Sequence, residues 1–424
     1  MRNLAKGFFS MVLVVALLLG GMVGASASEK VEITIGGLDY VYMPMVVEAF
    51  NAANPDIHLT YMPDVGNVDD GTLQAVLQSG LGPDIIGTGS GAGRIGPLAK
   101  NGLIQPINAI YDEYKLWDRY QPFVVDALKK TVNDGNIYEV LEGLDVFQIY
   151  YNIEIFEKVG VEPPKTWDEF TQVCDKLLAA GYTPLANGFR GGLAAGWLVG
   201  QFFEAYAGSD AMNSIIYSGA KMSDYPAFEQ VFQLVYDFGQ KGYFNQKDAL
   251  ALDAGESEAL FYNGVYPMFG AAHSVLLRAA AADDSIDLSK FAAFAVPSAV
   301  NEGVCRPTMG LAHSWVLNAQ VDESKMDAVK RYFAFLSSDE YCRIAMGNGG
   351  NLIPAITPVP DDTEMNAIMQ QASDALNSGA GYNPSVFLPG TAKQAYYEGL
   401  QGVLDGQTTP AQAVEAIDAG LSAQ

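Results

Sequence analysis

Residues 31–35 alternate apolar Val31, Ile33 and Ile35 with polar Glu32 and Thr34, then run into Gly36-Gly37, the period-two signature of a strand entering a loop. Over 44–53 the spacing lengthens. Met45, Val46, Ala49 and Phe50 fall on one side of a helix that stops before Pro55. A second strand follows over 58–62 and a second helix over 72–78, and an apolar strand then precedes the small-residue loop Gly89-Ser90-Gly91-Ala92-Gly93. From 112 to 130 the pattern is helical and rich in aromatics.

The stretch 136–170 organises the rest. Two strand-like runs meet at Glu142-Gly143-Leu144-Asp145, which reads as one chain crossing between two bodies at a glycine tolerant of bending. After Pro163-Pro164, Thr166 is the expected N-cap of a helix, with Glu169 three residues on completing a capping box. Downstream, a short strand is expected over 182–185 and helices over 193–206, 228–239 and 256–263, the last leading into a strand over 265–270. A strand at 291–297 is read as the second crossing and 348–354 as the third. Helices over 325–336, 364–376, 392–404 and 410–419, the last capped by Thr409, complete the chain.

Several of these runs resemble one family. Tyr151-Asn152, Phe156-Glu157-Lys158, Gly160, Pro163-Pro164-Lys165-Thr166-Trp167 and Phe170 are similar to the interdomain segment of the extracellular solute-binding proteins, family 1, of ABC importers, which include maltose-, oligosaccharide- and glycerol-phosphate-binding proteins. Three further signatures resemble the same family. They are Pro83-Asp84 with Pro97-Leu98-Ala99 and Gly102-Leu103-Ile104, then Phe261 to Gly270, and then Gly310 to Asn318 with its following helices. The resemblance implies an α/β protein of two discontinuous lobes joined by a three-segment hinge, of the periplasmic-binding-protein type II kind. It also implies a carbohydrate ligand, an oligosaccharide above all, held in the cleft without chemistry, and delivery to the transmembrane permease subunits of an ABC transporter by a monomer. The lobes are expected at 28–143 with 298–351 and at 144–297 with 352–424.

Residues 1–27, with Arg2 and Lys6 before an apolar run and Ala25-Ser26-Ala27 at its end, read as a secretory signal peptide. No Cys stands at the cleavage point, so an exported periplasmic or extracellular protein with no lipid anchor is expected. At 424 residues the chain exceeds the size at which one core keeps growing. Its 24 basic and 49 acidic residues, formal net charge −25, argue against nucleic acid and anionic lipid as partners. Three scattered cysteines permit at most one disulfide, and three histidines with no H-x-x-x-H spacing predict no metal site; no cofactor motif is present.

Ligands of open α/β sheets lie beyond the carboxyl ends of strands, which makes Asp39 and Tyr40 candidates; an N-cap and a surface aromatic are the bland alternatives. Ser90 and Gly91 are expected at the cleft edge, because their loop lacks the Gly-Lys-Ser/Thr ending of a phosphate-binding loop. Asp145, just past the crossing, is either a turn acid or a carboxylate gripping two sugar hydroxyls. By resemblance, Trp197 is a stacking platform, although its helical spacing with Phe202, Phe203 and Tyr206 equally suits core. The family's Trp after the third signature is missing here, and His273 stands nearby. Arg306, His313 and Trp315 around the fourth signature, Asn351 at the third crossing, and Tyr382 and Phe387 in a loop that contacts ligand in relatives complete the set. Two other classes stay open: a secreted glycoside hydrolase using paired carboxylates, and a binder of a non-sugar solute such as a phosphodiester, which needs basic groups such as Arg190 and Arg306.

Overall fold

The computed structural model describes residues 30–68 and 71–423, so the expected signal peptide lies outside the described residues. Two six-stranded sheets carry the chain. The first holds β1 (Val31–Gly36), β2 (Ile57–Met62), β3 (Ile85–Gly89), β4 (Ile104–Gln105), β5 (Glu139–Leu141) and, further along the chain, a strand at His313–Asn318. The second holds β6 (Gly143–Asn152), β7 (Met268–Ala272), β8 (Phe291–Phe294), β9 (Thr308–Leu311), and two short strands at Ile353–Pro354 and Gly381–Tyr382. In chain order the strand His313–Asn318 is β10, Ile353–Pro354 is β11 and Gly381–Tyr382 is β12.

The first sheet is parallel where β1 meets β2 and β3, and antiparallel where β10 threads between β3 and the edge strands β4 and β5. β10 is almost wholly buried, with Trp315 0% exposed, because it has neighbours on both sides. In the second sheet β6 is the hub, antiparallel to β7, β8, β9 and β11. Its ten residues are nearly all apolar or buried, as expected of a strand covered on both faces.

The chain changes sheets at Glu142, between β5 and β6, at Ala312, between β9 and β10, and between β10 and β11. The second passage therefore differs from expectation. The strand at 291–297 stays in the second sheet as β8 beside β6, and β9 returns to β6 before the passage at Ala312. Residues 308–311 thus pair with the body opposite to the one expected for 298–351. Short apolar strands carry no mark of the sheet they join; pairing with Leu144–Phe147 decides it.

Backbone bonds tie the passages together. Glu142 N donates to His313 O at 2.9 Å, Ala312 N to Gly143 O at 3.1 Å, and Ala355 N to Glu142 O at 3.2 Å. Gly143 is required by this close approach and not by a bend: a Cβ there would lie 2.5 Å from the Leu352 Cβ and 3.0 Å from the Ile353 carbonyl.

Thr166 caps its helix (Trp167–Ala179) by accepting from Glu169 N, but the Glu169 carboxylate takes the amide of Lys165 and not that of Thr166, so the expected capping box is open. Thr409 and Gln412 form a complete box on the last helix, Pro410–Ser422. Of the expected strand at 182–185 only an isolated bridge, Leu185 to Met268, forms. A helical core of Phe170, Leu177, Phe202, Phe203, Phe238 and Tyr243 fills the second body, while another apolar cluster runs through both sheets. Among the described residues no helix is long and apolar enough to cross a membrane.

Candidate functional site

The carboxyl ends of β1 and β3, the loop after β2 and the start of β10 enclose a cavity of about 280 Å³ in the first body. Gly37, Asn67, Thr88, Gly89, Arg94 and His313 are among its lining. Gly37 turns the chain away from β1 at φ 105°, and a Cβ there would sit 2.3 Å from the Gly87 carbonyl, so the loop demands glycine twice over. This places Tyr40 beside His313, its hydroxyl 2.5 Å from the imidazole Nδ1, with the phenol ring stacked on Tyr42 at 4.9 Å between centroids.

The second body brings Asp145 from β6 and Arg278 from the helix His273–Ala282 to the same place, and Glu258 and Tyr262 from the helix Ala254–Tyr262 flank Arg278. Asp145 and Arg278 both lie within electrostatic reach of Tyr40, so groups of the two bodies share one site. The Asp145 side chain is 19% exposed, and its Oδ1 has no hydrogen-bond partner among the described residues; neither has Tyr262 Oη. Burial raises the Asp145 carboxyl, while the neighbouring Ser274 hydroxyl and then the Arg278 charge oppose the rise. Burial likewise lifts Glu258 to about 7. Burial, followed by the charges of Arg94 and Arg278, depresses His313 to about 4, so at neutral pH it is an uncharged imidazole.

Of the residues singled out in the sequence, Tyr40, His313 and Asp145 are brought together here, and Asp39 is the exposed neighbour whose carboxylate accepts from Tyr61 at 3.3 Å. Gly91 stands at the seam between bodies: at φ 101°, its added Cβ would lie 3.2 Å from the Val386 carbonyl. Tyr382 lines a separate cavity of about 360 Å³ with Gln121, Phe123 and Met309, and Phe387 is buried beneath it with ring centroids 4.8 Å apart. Asn351 borders a void of about 30 Å³ beside Tyr42, Glu142 and Tyr341 at the passages. Trp197 is half-buried and edge-on to Phe269 at 6.4 Å.

Four expectations are corrected. The Ser90 hydroxyl donates to Glu139 at 2.7 Å inside the first body, so it is spent and not offered to a ligand. His273 is 0% exposed; its Nδ1 accepts from Val146 N at 3.2 Å, and burial depresses its pKa to about 3, making it a core imidazole. Trp315 is core as well, its indole N–H donating to Glu142 at 3.2 Å. Arg306 faces Glu204 and Ser209, and Arg190 is held by Asp253 and Glu256, so neither reaches the Tyr40–Asp145 group. Residues not singled out as ligands are Arg94, Arg278 and Glu258. The only local signal for Arg278 is a lone charge within the apolar run Val275-Leu276-Leu277-Arg278-Ala279-Ala280. Cys174, Cys305 and Cys342 are all free thiols, and no cluster of metal-ligating side chains occurs among the described residues.

A family model described as bacterial extracellular solute-binding protein matches residues 37–341. Among solved structures, a chitin oligosaccharide binding protein superposes with a TM-score of 0.77 at 26% identity, covering 93% of this chain and 98% of that one. The maltose/maltodextrin-binding domain of Bdellovibrio bacteriovorus, bound to maltotriose, superposes with a TM-score of 0.65 at 18% identity over 93% and 99% of the two chains, a likeness of fold. In sequence, the sn-glycerol-3-phosphate-binding periplasmic protein of Yersinia enterocolitica is 25% identical over 295 residues, 63% of this chain and 62% of its own length. The multiple sugar-binding protein of Streptococcus mutans is 26% identical over 181 residues, 38% of each chain. Both alignments span less than two thirds of the relative's length.

Proposed function

The chain belongs to the bacterial extracellular solute-binding proteins, and from that premise we propose that it captures a carbohydrate, an oligosaccharide above all, between its two sheets and hands it to the permease of an ABC importer. The observation that carries this reading is the convergence of Tyr40 and His313 from one body with Asp145 and Arg278 from the other, beside an open cavity at the carboxyl ends of strands. An acceptor such as Asp145 Oδ1, which lacks a partner, suits a ring hydroxyl, and charge-assisted bonds of that kind are stronger than neutral ones. Aromatic rings such as Tyr40 and Trp197 would present faces to the C–H side of a pyranose.

The lobes in this reading are 30–141 with 313–351 and 143–311 with 352–423, hinged at Glu142, Ala312 and the segment before β11. A ligand that touches both lobes favours the closed form by its differential affinity, and the protein acts as an exported monomer without altering the ligand. Thermal-shift screening against mono- and oligosaccharides tests it, since a ligand at ~100 times its Kd stabilises by ~2.7 kcal/mol. Small-angle scattering on each hit then reads compaction. A ligand that binds without compaction overturns the hinge mechanism, and new products from an incubated glycan overturn the non-catalytic reading.

A further inference from the structure

The loop Gly89-Ser90-Gly91-Ala92-Gly93 lacks the ending of a phosphate-binding loop and its one hydroxyl is spent on Glu139, yet it sets two glycines against the other body. A Cβ on Gly91 would lie 3.2 Å from the Val386 carbonyl oxygen. One on Gly93 would lie 3.3 Å from Gly390 N, 3.4 Å from Pro389 Cα and 3.5 Å from the Leu388 carbonyl oxygen. The first turn of the helix Ala92–Lys100 therefore meets the segment joining the helices Pro384–Phe387 and Gly390–Asp405, main chain against main chain. Gly93 sits in a helix, where glycine is disfavoured, and the approach of the second body is what leaves no room for a side chain. A second contact crosses elsewhere. Lys130 Nζ, at the end of the helix Pro122–Lys130, stands 4.5 Å from the centre of the Tyr217 ring on the helix Ser209–Ser218, and Tyr382 backs that ring edge-on at 5.7 Å. Neither Gly93 nor Lys130 nor Tyr217 lines the 280 Å³ cavity.

Resting on the two-lobed hinge of the proposed function, we infer that these contacts are a closure latch carried by the protein itself: Gly91 and Gly93 form the seat on which Val386–Gly390 comes to rest, and Lys130 clasps Tyr217 at a second point. The bodies meet there with no solute between them, so the ligand-free chain already populates the closed form. A ligand then adds its differential affinity to an equilibrium that residues outside the cavity have biased. Backbone surfaces meet without freezing long side chains, which keeps the entropic cost of the seat low. The cation over the ring multiplies the closed-to-open ratio by about two- to fivefold, the worth of an exposed pair of that kind. Affinity for the captured solute scales with the fraction of molecules the latch keeps competent.

Small-angle scattering of the ligand-free full chain reads the closed-to-open ratio before any ligand is known. Gly93→Leu should raise the radius of gyration, because an isobutyl group has no place in a gap that barely holds a methyl. Leucine is the better helix former, so the helix Ala92–Lys100 is not what is lost. Gly93→Ala should lie between wild type and Gly93→Leu. Lys130→Met keeps the apolar stem and removes the charge, and should lower the closed-to-open ratio about two- to fivefold. Combined with Tyr217→Leu it should lower the ratio no further than Tyr217→Leu does alone. Lys130→Met decides by itself should Gly93→Leu not fold. A radius of gyration unchanged in both Gly93→Leu and Lys130→Met overturns the inference. A carbohydrate from the thermal-shift screen that compacts wild type and both variants from one shared open size leaves the hinge reading standing while the latch falls, and a chain whose size neither ligand nor variant alters sinks both.

Discussion

Replacing Glu142 should loosen the junction of the two bodies more than any other single change at the passages. Its carboxylate accepts from Tyr42 Oη at 2.6 Å, Tyr341 Oη at 2.7 Å and Trp315 Nε1 at 3.2 Å, all from the first body, while its backbone N–H and C=O tie it to His313 and Ala355. The three donors are buried, with Tyr42 and Tyr341 each 3% exposed and Trp315 0%. Glu142→Ala leaves all three without an acceptor, at about 1–3 kcal/mol for each buried donor that finds no other partner. The phenol hydroxyls can rotate, whereas the indole N–H is fixed, so a total of about 3–5 kcal/mol is expected. Glu142→Gln keeps one oxygen for the two tyrosines but points an amide N–H₂ at the indole, so about 1–3 kcal/mol is expected. Urea unfolding followed by tryptophan fluorescence measures both, and a double-mutant cycle with Tyr341→Phe isolates one bond. Loss of less than about 0.5 kcal/mol in Glu142→Ala would refute the idea that this carboxylate clamps the junction.

Gly143→Ala places a methyl 2.5 Å from Leu352 Cβ and 3.0 Å from a backbone carbonyl, so a loss of about 1–3 kcal/mol is expected in the same urea assay. Burial raises the carboxyls of Glu139, Glu142 and Asp145, so the stability they contribute is present below their unfolded pKa and is lost as pH rises through the higher folded values. The melting temperature should therefore be higher near about pH 5 than near about pH 8, and Asp145→Asn should flatten that slope. Asp253 behaves oppositely: hydrogen bonds from the Glu256 amide and Arg190 lower its pKa, so its contribution falls away as pH drops below about 4. Cys174 and Cys342 are buried and Cys305 is only partly so, and a thiol reagent should modify Cys305 alone in the folded protein, slowly because burial raises that thiol too. Rapid modification of all three without denaturant would contradict this packing.

Much of the architecture was legible because it is written in local pattern. The crossing at Glu142-Gly143, the Thr166 and Thr409 caps and the apolar runs of the second body follow from residues close to one another in the chain. Placement of side chains around the site was not, since an apolar or aromatic position reads alike whether it faces a cleft or a core. Trp315 and His273 look like site residues in sequence, but β10 is flanked on both sides and the Val146 amide already occupies the imidazole. Arg190 and Arg306 looked like available cations until the fold set Asp253, Glu256 and Glu204 beside them, whereas nothing in the sequence singled out Arg278, which the fold brings within electrostatic reach of Tyr40 and His313. Periodicity reports which face of an element is buried, and short-range hydrogen bonds report where elements begin and end. Which charge finds a partner depends on groups a hundred or more residues apart, as Tyr42 with Glu142 or Tyr40 with His313, and only the pairing of strands across the chain brings those together.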